Sequence, residues 1–299
     1  MIAHRINSLV KISRHCPAVA WILLLAVLPA GASVARAESY QTLDVPGATD
    51  TQAFGINDLG DIVGRWDDAD FNTHGFLLHK GVYTAIDFPA ATFTAPRMIN
   101  NRGDVVGRYV DINGTSHAFV LRDGRYIRID FPGAVDTRGR GIDDFGRVTG
   151  NYRTADGVEH GFLKDSRGMH SITVPNSAST DVWMINVLGT LVGDWSDHQG
   201  VTHGYLLQGD RFTTLDYPQS TATSIRDISI TGRIAGVWVD TGGSEFGFVG
   251  TRRALRSVAI PGAAQTDVFA VNVWNDIVGS YAAPDGSNHG FLIRAERDQ

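Results

Sequence analysis

Residues 86–89 read Ile-Asp-Phe-Pro, and the same four residues return at positions 129–132. Related tetrapeptides occur four more times, as Leu-Asp-Val-Pro, Ile-Thr-Val-Pro, Leu-Asp-Tyr-Pro and Val-Ala-Ile-Pro. Their final prolines are 43 residues apart throughout, at Pro46, Pro89, Pro132, Pro175, Pro218 and Pro261. Self-similarity at one fixed period of this length is typical of a repeat architecture.

Other residue types follow the same period. Each copy has a threonine five residues after its proline, namely Thr51, Thr94, Thr137, Thr180, Thr223 and Thr266. A glycine follows in each copy, at Gly64, Gly107, Gly150, Gly193, Gly236 and Gly279. A histidine comes ten residues after that glycine in five copies, at His74, His117, His160, His203 and His289, and the fifth copy has Phe246 instead.

Each copy has the composition of short strands and tight turns. Runs of strand-forming residues alternate with Gly, Asp, Asn and Pro, and no apolar period of 3.6 residues is present. In the first copy we predict strands at 53–57, 61–67, 74–79 and 82–88. Four short antiparallel strands per repeat are typical of a propeller blade. The sequence therefore predicts an all-β fold, a six-bladed β-propeller of six 43-residue repeats; a stacked β-solenoid or a pair of packed sheets is the alternative.

The two ends of the repeat region complement each other. Residues 40–45 resemble the fourth strand of a copy with no earlier strands before it, whereas the sixth copy ends after its third strand, at residues 291–294. We predict that the N-terminal strand completes the last blade. This pairing closes the ring and removes exposed sheet edges.

The N-terminal segment has the features of a secretory signal. Residues 18–28 are all apolar, a run of 11 residues that is too short for a membrane-spanning helix. Ala35-Arg36-Ala37 supplies the small-residue cleavage pattern. We predict a signal peptide at 1–37 with cleavage after Ala37, and one propeller domain at 38–299. An uncleaved membrane anchor is the alternative.

The charge of the chain restricts its partners. The formal net charge is −6, and residues 1–37 carry four basic residues and no acidic one, so their removal leaves −10. A surface of this sign disfavours nucleic acid and anionic lipid. The only cysteine, Cys16, is lost with the signal peptide. We expect a secreted or periplasmic monomer with no transmembrane segment after cleavage, and a carbohydrate, a cell-wall fragment or a protein as its partner.

Two stretches resemble a known bacterial family. The stretch Gly55-Ile56-Asn57-Asp58-Leu59-Gly60-Asp61-Ile62-Val63-Gly64 and the triplet His117-Ala118-Phe119 are similar to the extracellular repeat family named for its His-Ala-Phe (HAF) triplet. The resemblance covers all six copies, although most of them read His-Gly-Phe or His-Gly-Tyr. It implies a repeat fold and secretion, and it implies no particular activity.

Residues that recur in every copy favour structural roles. We predict that the histidines tie each blade through a hydrogen bond to a backbone or hydroxyl group. We predict that the threonines and the Asn57-type residues form turn and inter-blade hydrogen bonds.

We expect ligand binding where the copies differ. Eight residues after the prolines, the chain has Phe54, Arg97, Arg140, Trp183, Arg226 and Phe269. Guanidinium groups interleaved with aromatic rings at a channel mouth suit a carboxylated or hydroxyl-rich ligand. The alternative is that they only fill the space between blades.

The sequence offers no catalytic residue and no defined metal site. Acids such as Asp50, Asp136, Asp181 and Asp267 recur near the same rim, and oxygen-rich turns can hold Ca²⁺. We therefore predict no cofactor but keep Ca²⁺ as an open possibility. No nucleophile elbow, zinc-protease motif or phosphate loop is present.

Three functional hypotheses follow. The first is a non-catalytic binding module for a polysaccharide, a cell-wall fragment or a protein. The second is a metal-centred propeller enzyme, such as a Ca²⁺-dependent lactonase or ester hydrolase, which would need acids or Asn side chains converging on the channel. The third is a structural surface protein, which would have a featureless, plugged channel.

Overall fold

The structure, a computed structural model, describes residues 35–36 and 39–296. All of them belong to one compact unit, Ser33–Gln299. These residues form strands and turns, with no helix among them and therefore none long and apolar enough to cross a membrane. The strands are β1 (Ala35–Arg36), β2 (Gln41–Leu43), β3 (Asp50–Ile56), β4 (Ile62–Asp67), β5 (Thr73–His79), β6 (Val82–Ile86), β7 (Phe93–Ile99), β8 (Val105–Val110), β9 (Ser116–Arg122), β10 (Arg125–Ile129), β11 (Asp136–Ile142), β12 (Val148–Arg153), β13 (Glu159–Asp165), β14 (Gly168–Ile172), β15 (Ser179–Ile185), β16 (Thr190–Ser196), β17 (Thr202–Gln208), β18 (Arg211–Thr214), β19 (Ala222–Ile228), β20 (Ile234–Val239), β21 (Glu245–Thr251), β22 (Ala254–Ala259), β23 (Gln265–Val271), β24 (Ile277–Ala282) and β25 (Asn288–Ile293).

Consecutive strands form antiparallel meanders, in which each strand pairs with the next along the chain. The four-stranded meanders are β3–β6, β7–β10, β11–β14, β15–β18 and β19–β22, the first two of which are joined by a single parallel bridge between Thr73 and Phe93. The first strand of each meander lies innermost, beside the first strands of its neighbours: β3 contacts both β7 and β23. This arrangement is a β-propeller. The four strands predicted for the first copy are present, although the first of them begins three residues earlier, at Asp50.

The N-terminal strand completes the last sheet, as predicted. β2 pairs with β25 in antiparallel register, with Gln41 opposite Leu292 and Leu43 opposite Gly290. The resulting sheet has the order β2-β25-β24-β23. The predicted signal peptide, residues 1–37, lies outside the described residues except for Ala35–Arg36, whose strand β1 pairs in parallel with β22.

The recurring glycines of the second strands make room for the core. A Cβ atom at Gly64 would lie 2.7 Å from the Phe76 ring and 2.0 Å from the backbone oxygen of Gln52. The equivalent aromatic side chains of the third strands are all at most 1% exposed: Phe76, Phe119, Phe162, Tyr205, Phe248 and Phe291. These glycines therefore serve packing rather than turns, whereas Gly60, with φ of +84°, is a turn residue.

The recurring threonines join one sheet to the next. In every copy the threonine Oγ1 accepts a hydrogen bond from the backbone N–H of the residue just before the repeat proline, at 3.0–3.2 Å. Thr51, for example, is 1% exposed and accepts from Val45, which follows the outermost strand of the last sheet. The predicted hydrogen-bonding role of the threonines is confirmed.

Candidate functional site

The six residues predicted at the channel mouth come together at the centre of the ring. Each lies on a different innermost strand, and each is the extra residue of a β-bulge, where the pairing register with the second strand shifts. In the first copy, for example, Ala53 and Gly55 pair with consecutive residues of β4 and Phe54 is left over. A bulge re-aims its side chain, and bulges are enriched beside active sites. This local geometry brings the six side chains to one level of the channel.

The six side chains fill the channel at that level. The guanidinium carbon of Arg97 lies 4.0 Å from the centre of the Phe54 ring, and that of Arg140 lies 4.1 Å from the Trp183 ring. Arg226 and Phe269 make a similar contact at 4.4 Å. The remaining space among the six is about 10 Å³, which is room for about one water molecule. The predicted binding residues thus form a plug, and ligand binding by them stays a prediction.

Four further charged residues accompany Arg97 and Arg140. They come from the first and second strands of neighbouring sheets, and their charges interact with those of Arg97 and Arg140. We call this group of six the charged basin: Arg97, Arg108, Arg138, Arg140, Asp181 and Asp194. Sequence reasoning missed Arg108, Arg138 and Asp194. They could have been found as charged residues within strands at positions where the 43-residue copies disagree.

Asp181 and Asp194 form the acidic side of the charged basin. They are directly opposite each other on β15 and β16, a placement that is unfavourable for two like charges. The Asp194 Oδ2 atom accepts hydrogen bonds from Trp183 Nε1 at 2.7 Å and from Ser224 Oγ at 2.5 Å. Burial and the nearby charge of Asp194 raise the pKa of Asp181 to about 7. One proton is therefore readily held by this pair near neutral pH.

The arginines form the basic side. Burial lowers the pKa of Arg97 well below its usual value, and the charges of Arg140 and Arg108 lower it further. Burial and the charge of Arg140 lower the pKa of Arg108 to about 10. Since a guanidinium keeps its proton at neutral pH, these shifts reflect first the free-energy cost of burying positive charge and then that of confining several positive charges together.

Several buried polar atoms around the charged basin lack a hydrogen-bond partner within the described protein. They are the Nε atoms of Arg97, Arg108, Arg138, Arg140 and Arg226, the Oδ1 atom of Asp181 and the Oδ1 atom of Asn151. More than nine in ten buried polar groups in folded proteins are hydrogen-bonded. Such a concentration at one place distinguishes the basin from ordinary core, because these donors and acceptors are unsatisfied within the described protein.

The opposite end of the channel is built from the Asn57-type turns. A cavity of about 320 Å³ lies there, and Asn57, Asn100 and Asn186 are among its lining residues. Their amides are already used. Asn57 Oδ1 accepts from the N–H groups of Leu59 and Asp61, and Asn57 Nδ2 donates to the carbonyl of Asn100 in the next copy at 3.2 Å. The predicted turn and inter-blade roles of these residues are confirmed.

The recurring histidines bind carboxylates more often than the sequence predicted. The Nδ1 atoms of His74, His117, His203 and His289 lie 2.7–3.2 Å from Asp87, Asp130, Asp216 and Asp44, respectively. Only His160 has the predicted type of partner at this position, the hydroxyl of Thr173 at 3.3 Å. His289 has both kinds of partner, since its Nε2 atom also lies 2.9 Å from the hydroxyl of Ser287. The prediction of a backbone or hydroxyl partner was wrong for His74, His117 and His203, because the aspartate of the Ile-Asp-Phe-Pro-type motif follows the adjacent strand. The fifth copy, which has Phe246, also lacks this aspartate and has Ala259.

The predicted acidic rim does not gather into a metal site among the described residues, where no group of three or more His, Cys, Asp or Glu side chains could hold an ion. Asp136 instead pairs with Arg153, and Asp267 with Arg226 at 3.4 Å. Asp50 Oδ2 accepts from Asn288 at 2.7 Å. Ca²⁺ binding by these acids stays a prediction, and the contacts of Asp136 and Asp267 are structural ion pairs.

Comparison with known proteins gives the fold. No family model matches the chain, and no curated protein matches it either. Among solved structures, AofleA from Arthrobotrys oligospora matches with a TM-score of 0.55 at 12% identity, over 86% of both chains. The fucose-recognising lectin from Aleuria aurantia, described as a six-bladed β-propeller, matches with a TM-score of 0.52 at 10% identity, over 82% of this chain and 91% of the lectin. TolB from Acinetobacter baumannii matches with a TM-score of 0.56 at 14% identity, over 80% of this chain and 65% of TolB. At such low identities, what the chain shares with these proteins is the β-propeller fold.

Proposed function

We propose that this protein is a non-catalytic carbohydrate-binding β-propeller and that the sugar binds in the charged basin. The observation that carries the proposal is the concentration of buried, unpartnered polar atoms on Arg97, Arg108, Arg140 and Asp181. The similarity to a fucose-recognising lectin supports the choice of a sugar as ligand.

The chemistry of the basin suits a polyol. A sugar ring presents several hydroxyl groups, each of which both donates and accepts hydrogen bonds. The guanidinium groups are donors and the carboxylate of Asp181 is an acceptor. One site can therefore both donate hydrogen bonds to the sugar hydroxyls and accept hydrogen bonds from them. Three of the six plug residues are aromatic, Phe54, Trp183 and Phe269, and their rings stack against Arg97, Arg140 and Arg226.

We also propose that the ring has six blades, each built from one 43-residue repeat. The 43-residue spacing of the prolines supports this count. Two inter-blade bonds repeat at the same spacing, from Asn57 to Asn100 and from Asn100 to Asp143. The protein is a secreted or periplasmic monomer in this proposal. The signal-like residues 1–37 and the resemblance to the HAF repeat family support secretion.

A glycan array tests the proposed function. We expect the protein to bind a defined subset of glycans and the double variant Arg97→Ala/Arg140→Ala to lose at least about 90% of that signal, since hydrogen bonds to charged groups contribute about 1.5–3 kcal/mol each. The matched control is Arg252→Ala/Arg253→Ala, which removes two exposed arginines from the turn between β21 and β22. The control should bind as the parent does.

Two outcomes would contradict the proposal. Equal binding by the Arg97→Ala/Arg140→Ala variant, with its fold intact by circular dichroism, would place the sugar elsewhere. No binding to any glycan would favour a structural surface protein, a function that agrees with a plugged channel.

A further inference from the structure

The two sides of the charged basin differ in sign. The charges that act most strongly on Arg97 are all positive, those of Arg140, Arg108, Arg65 and Arg226. The negative charges of Asp181 and Asp194 act instead on Arg140. Arg97 and Arg108 lie on the paired strands β7 and β8, whereas Asp181 and Asp194 lie on β15 and β16. The basin therefore has a cationic end around Arg97 and Arg108 and an acidic end around Asp181.

The arginines at the cationic end have no carboxylate partner. Among the described residues, Arg138 pairs with Glu159 at 2.8 Å and Arg226 pairs with Asp267 at 3.4 Å. Arg97 and Arg108 form no ion pair there, and each lies over an aromatic ring, Phe54 at 4.0 Å and Phe93 at 4.6 Å. Their Nε atoms are buried and unpartnered. A guanidinium that stacks on a ring still presents its N–H groups in its own plane.

This geometry is that of an incomplete ion pair. Buried charges in proteins are normally paired, because an isolated buried charge costs a large free energy. Arg97 and Arg108 come from the paired strands β7 and β8, and guanidinium groups match the planar, two-oxygen geometry of a carboxylate. Anchoring such a group would supply the missing negative charge and satisfy the unpartnered donors.

We propose that the ligand of the charged basin is an acidic sugar, whose single carboxylate binds between Arg97 and Arg108 and whose hydroxyl groups bind at Asp181 and Asp194. This inference rests on the proposed function and specifies its ligand class. The acidic end repels a second anionic group, as does the formal net charge of −6. A sugar with one carboxylate and several neutral hydroxyls fits both ends, whereas a densely sulfated polymer fits only one.

Isothermal titration calorimetry tests the proposal with three sugars, glucuronic acid, galacturonic acid and sialic acid, each beside its methyl ester. The ester keeps the hydroxyl groups and removes the charge. We expect at least one acid to bind at least tenfold more tightly than its ester, and Arg108→Met to abolish that difference. Arg252→Met, at an exposed site, should leave it unchanged. Arg108→Lys should restore only part of it, because an ammonium group cannot bind a carboxylate in the same two-point geometry.

The outcomes separate the two proposals. Equal binding of every acid and its ester would overturn the acidic-sugar inference and leave carbohydrate binding intact. Equal competition by acetate alone would also overturn it, because the basin would then recognise any carboxylate. Binding of no sugar here or on the glycan array would overturn the proposed function itself. If Arg108→Met does not fold, Arg97→Met measured in the same titration replaces it.

Discussion

The side-chain amide of Asn272 donates a hydrogen bond to the backbone carbonyl of Asn57, which is 215 residues away in the chain, at 3.3 Å. The same bond links Asn57 to Asn100 and Asn186 to Ser229 at a separation of 43 residues. The repeated turn therefore both ends the innermost strand and joins neighbouring sheets, and its last copy joins the end of the ring to its beginning.

Asn272→Ala should destabilise the protein by about 1–3 kcal/mol, because it removes the donor to Asn57 and leaves buried backbone groups unpaired. Urea denaturation measures the change. Asn113→Ala, in an exposed hairpin turn, is the control and should stay within about 0.5 kcal/mol. Equal effects of the two substitutions would mean that the Asn272 bond contributes nothing to closure.

In the third copy a different residue donates the hydrogen bond that joins neighbouring sheets. Asp143 occupies the Asn57 position, but its side chain has no N–H to donate, and Arg147 donates to the carbonyl of Asn186 instead, at 2.9 Å. Arg147 Nε also donates to Asp143 Oδ2 at 2.7 Å. We expect Arg147→Ala to destabilise the protein by about 1–3 kcal/mol and the second substitution Asp143→Asn to restore part of that loss. If Asp143→Asn destabilises the Arg147→Ala variant further, the two residues are not equivalent to the asparagines.

The histidine and the aspartate of each pair should contribute to folding stability in a coupled way. His117 is buried, with its Nδ1 atom 2.7 Å from Asp130, and the fifth copy has replaced both residues. In a double-mutant cycle, His117→Phe and Asp130→Ala should show a coupling free energy of about 0.5–3 kcal/mol. The double variant, which imitates the fifth copy, should then be more stable than the sum of the two single effects predicts. Additive effects would indicate that the pair is a surface contact only.

Two buried carboxyls should make the protein less stable as the pH rises. Burial raises the pKa of Asp227 to about 7 and also that of Asp181 to about 7. The ordinary value is about 3.9, so between about pH 4 and pH 7 the folded protein binds protons that the unfolded chain has released. Folding stability due to these groups is complete below that range and is lost as the pH rises through it. Asp227→Asn should therefore reduce the difference in the free energy of unfolding between pH 5 and pH 8, and an unchanged difference would contradict the shift.

Arg97 should reduce stability while supporting binding. Because its charge is confined among other arginines without a carboxylate partner, Arg97→Met should raise the free energy of unfolding of the ligand-free protein by about 1–3 kcal/mol, and it should weaken sugar binding. Arg138→Met, which breaks the ion pair with Glu159, should not stabilise the protein. Loss of stability in Arg97→Met would show that this arginine is part of the structural core.

The fold could be predicted from the sequence because one pattern determines it. The 43-residue period, the turn residues such as Gly60 and the unpaired strand at residues 40–45 depend on local geometry, which is repeated in every copy. The partners of the histidines could not be predicted in the same way. They depend on which strand lies beside β5 at His74, whereas in the sequence Asp87 shows only as part of the motif that ends at Pro89.

The candidate site could be predicted only in part, for a related reason. Phe54 and Arg97 stand out in the sequence because the residue eight positions after the repeat proline differs from copy to copy. Their position as bulge residues was not visible, since a bulge shows only in the pairing of β3 with β4. The plug therefore replaces the open mouth that the sequence suggested. Arg108 and Asp194 lie on second strands and come beside the plug only through the sheet register.

The most direct test is a crystal structure of the protein with the acidic sugar that binds most tightly in calorimetry. The sugar should lie in the charged basin, with its carboxylate within hydrogen-bond distance of Arg97 and Arg108 and a hydroxyl on Asp181. A sugar bound instead in the cavity beside Asn57 and Asn100, or between two sheets away from the channel, would show that the charged basin is not the binding site.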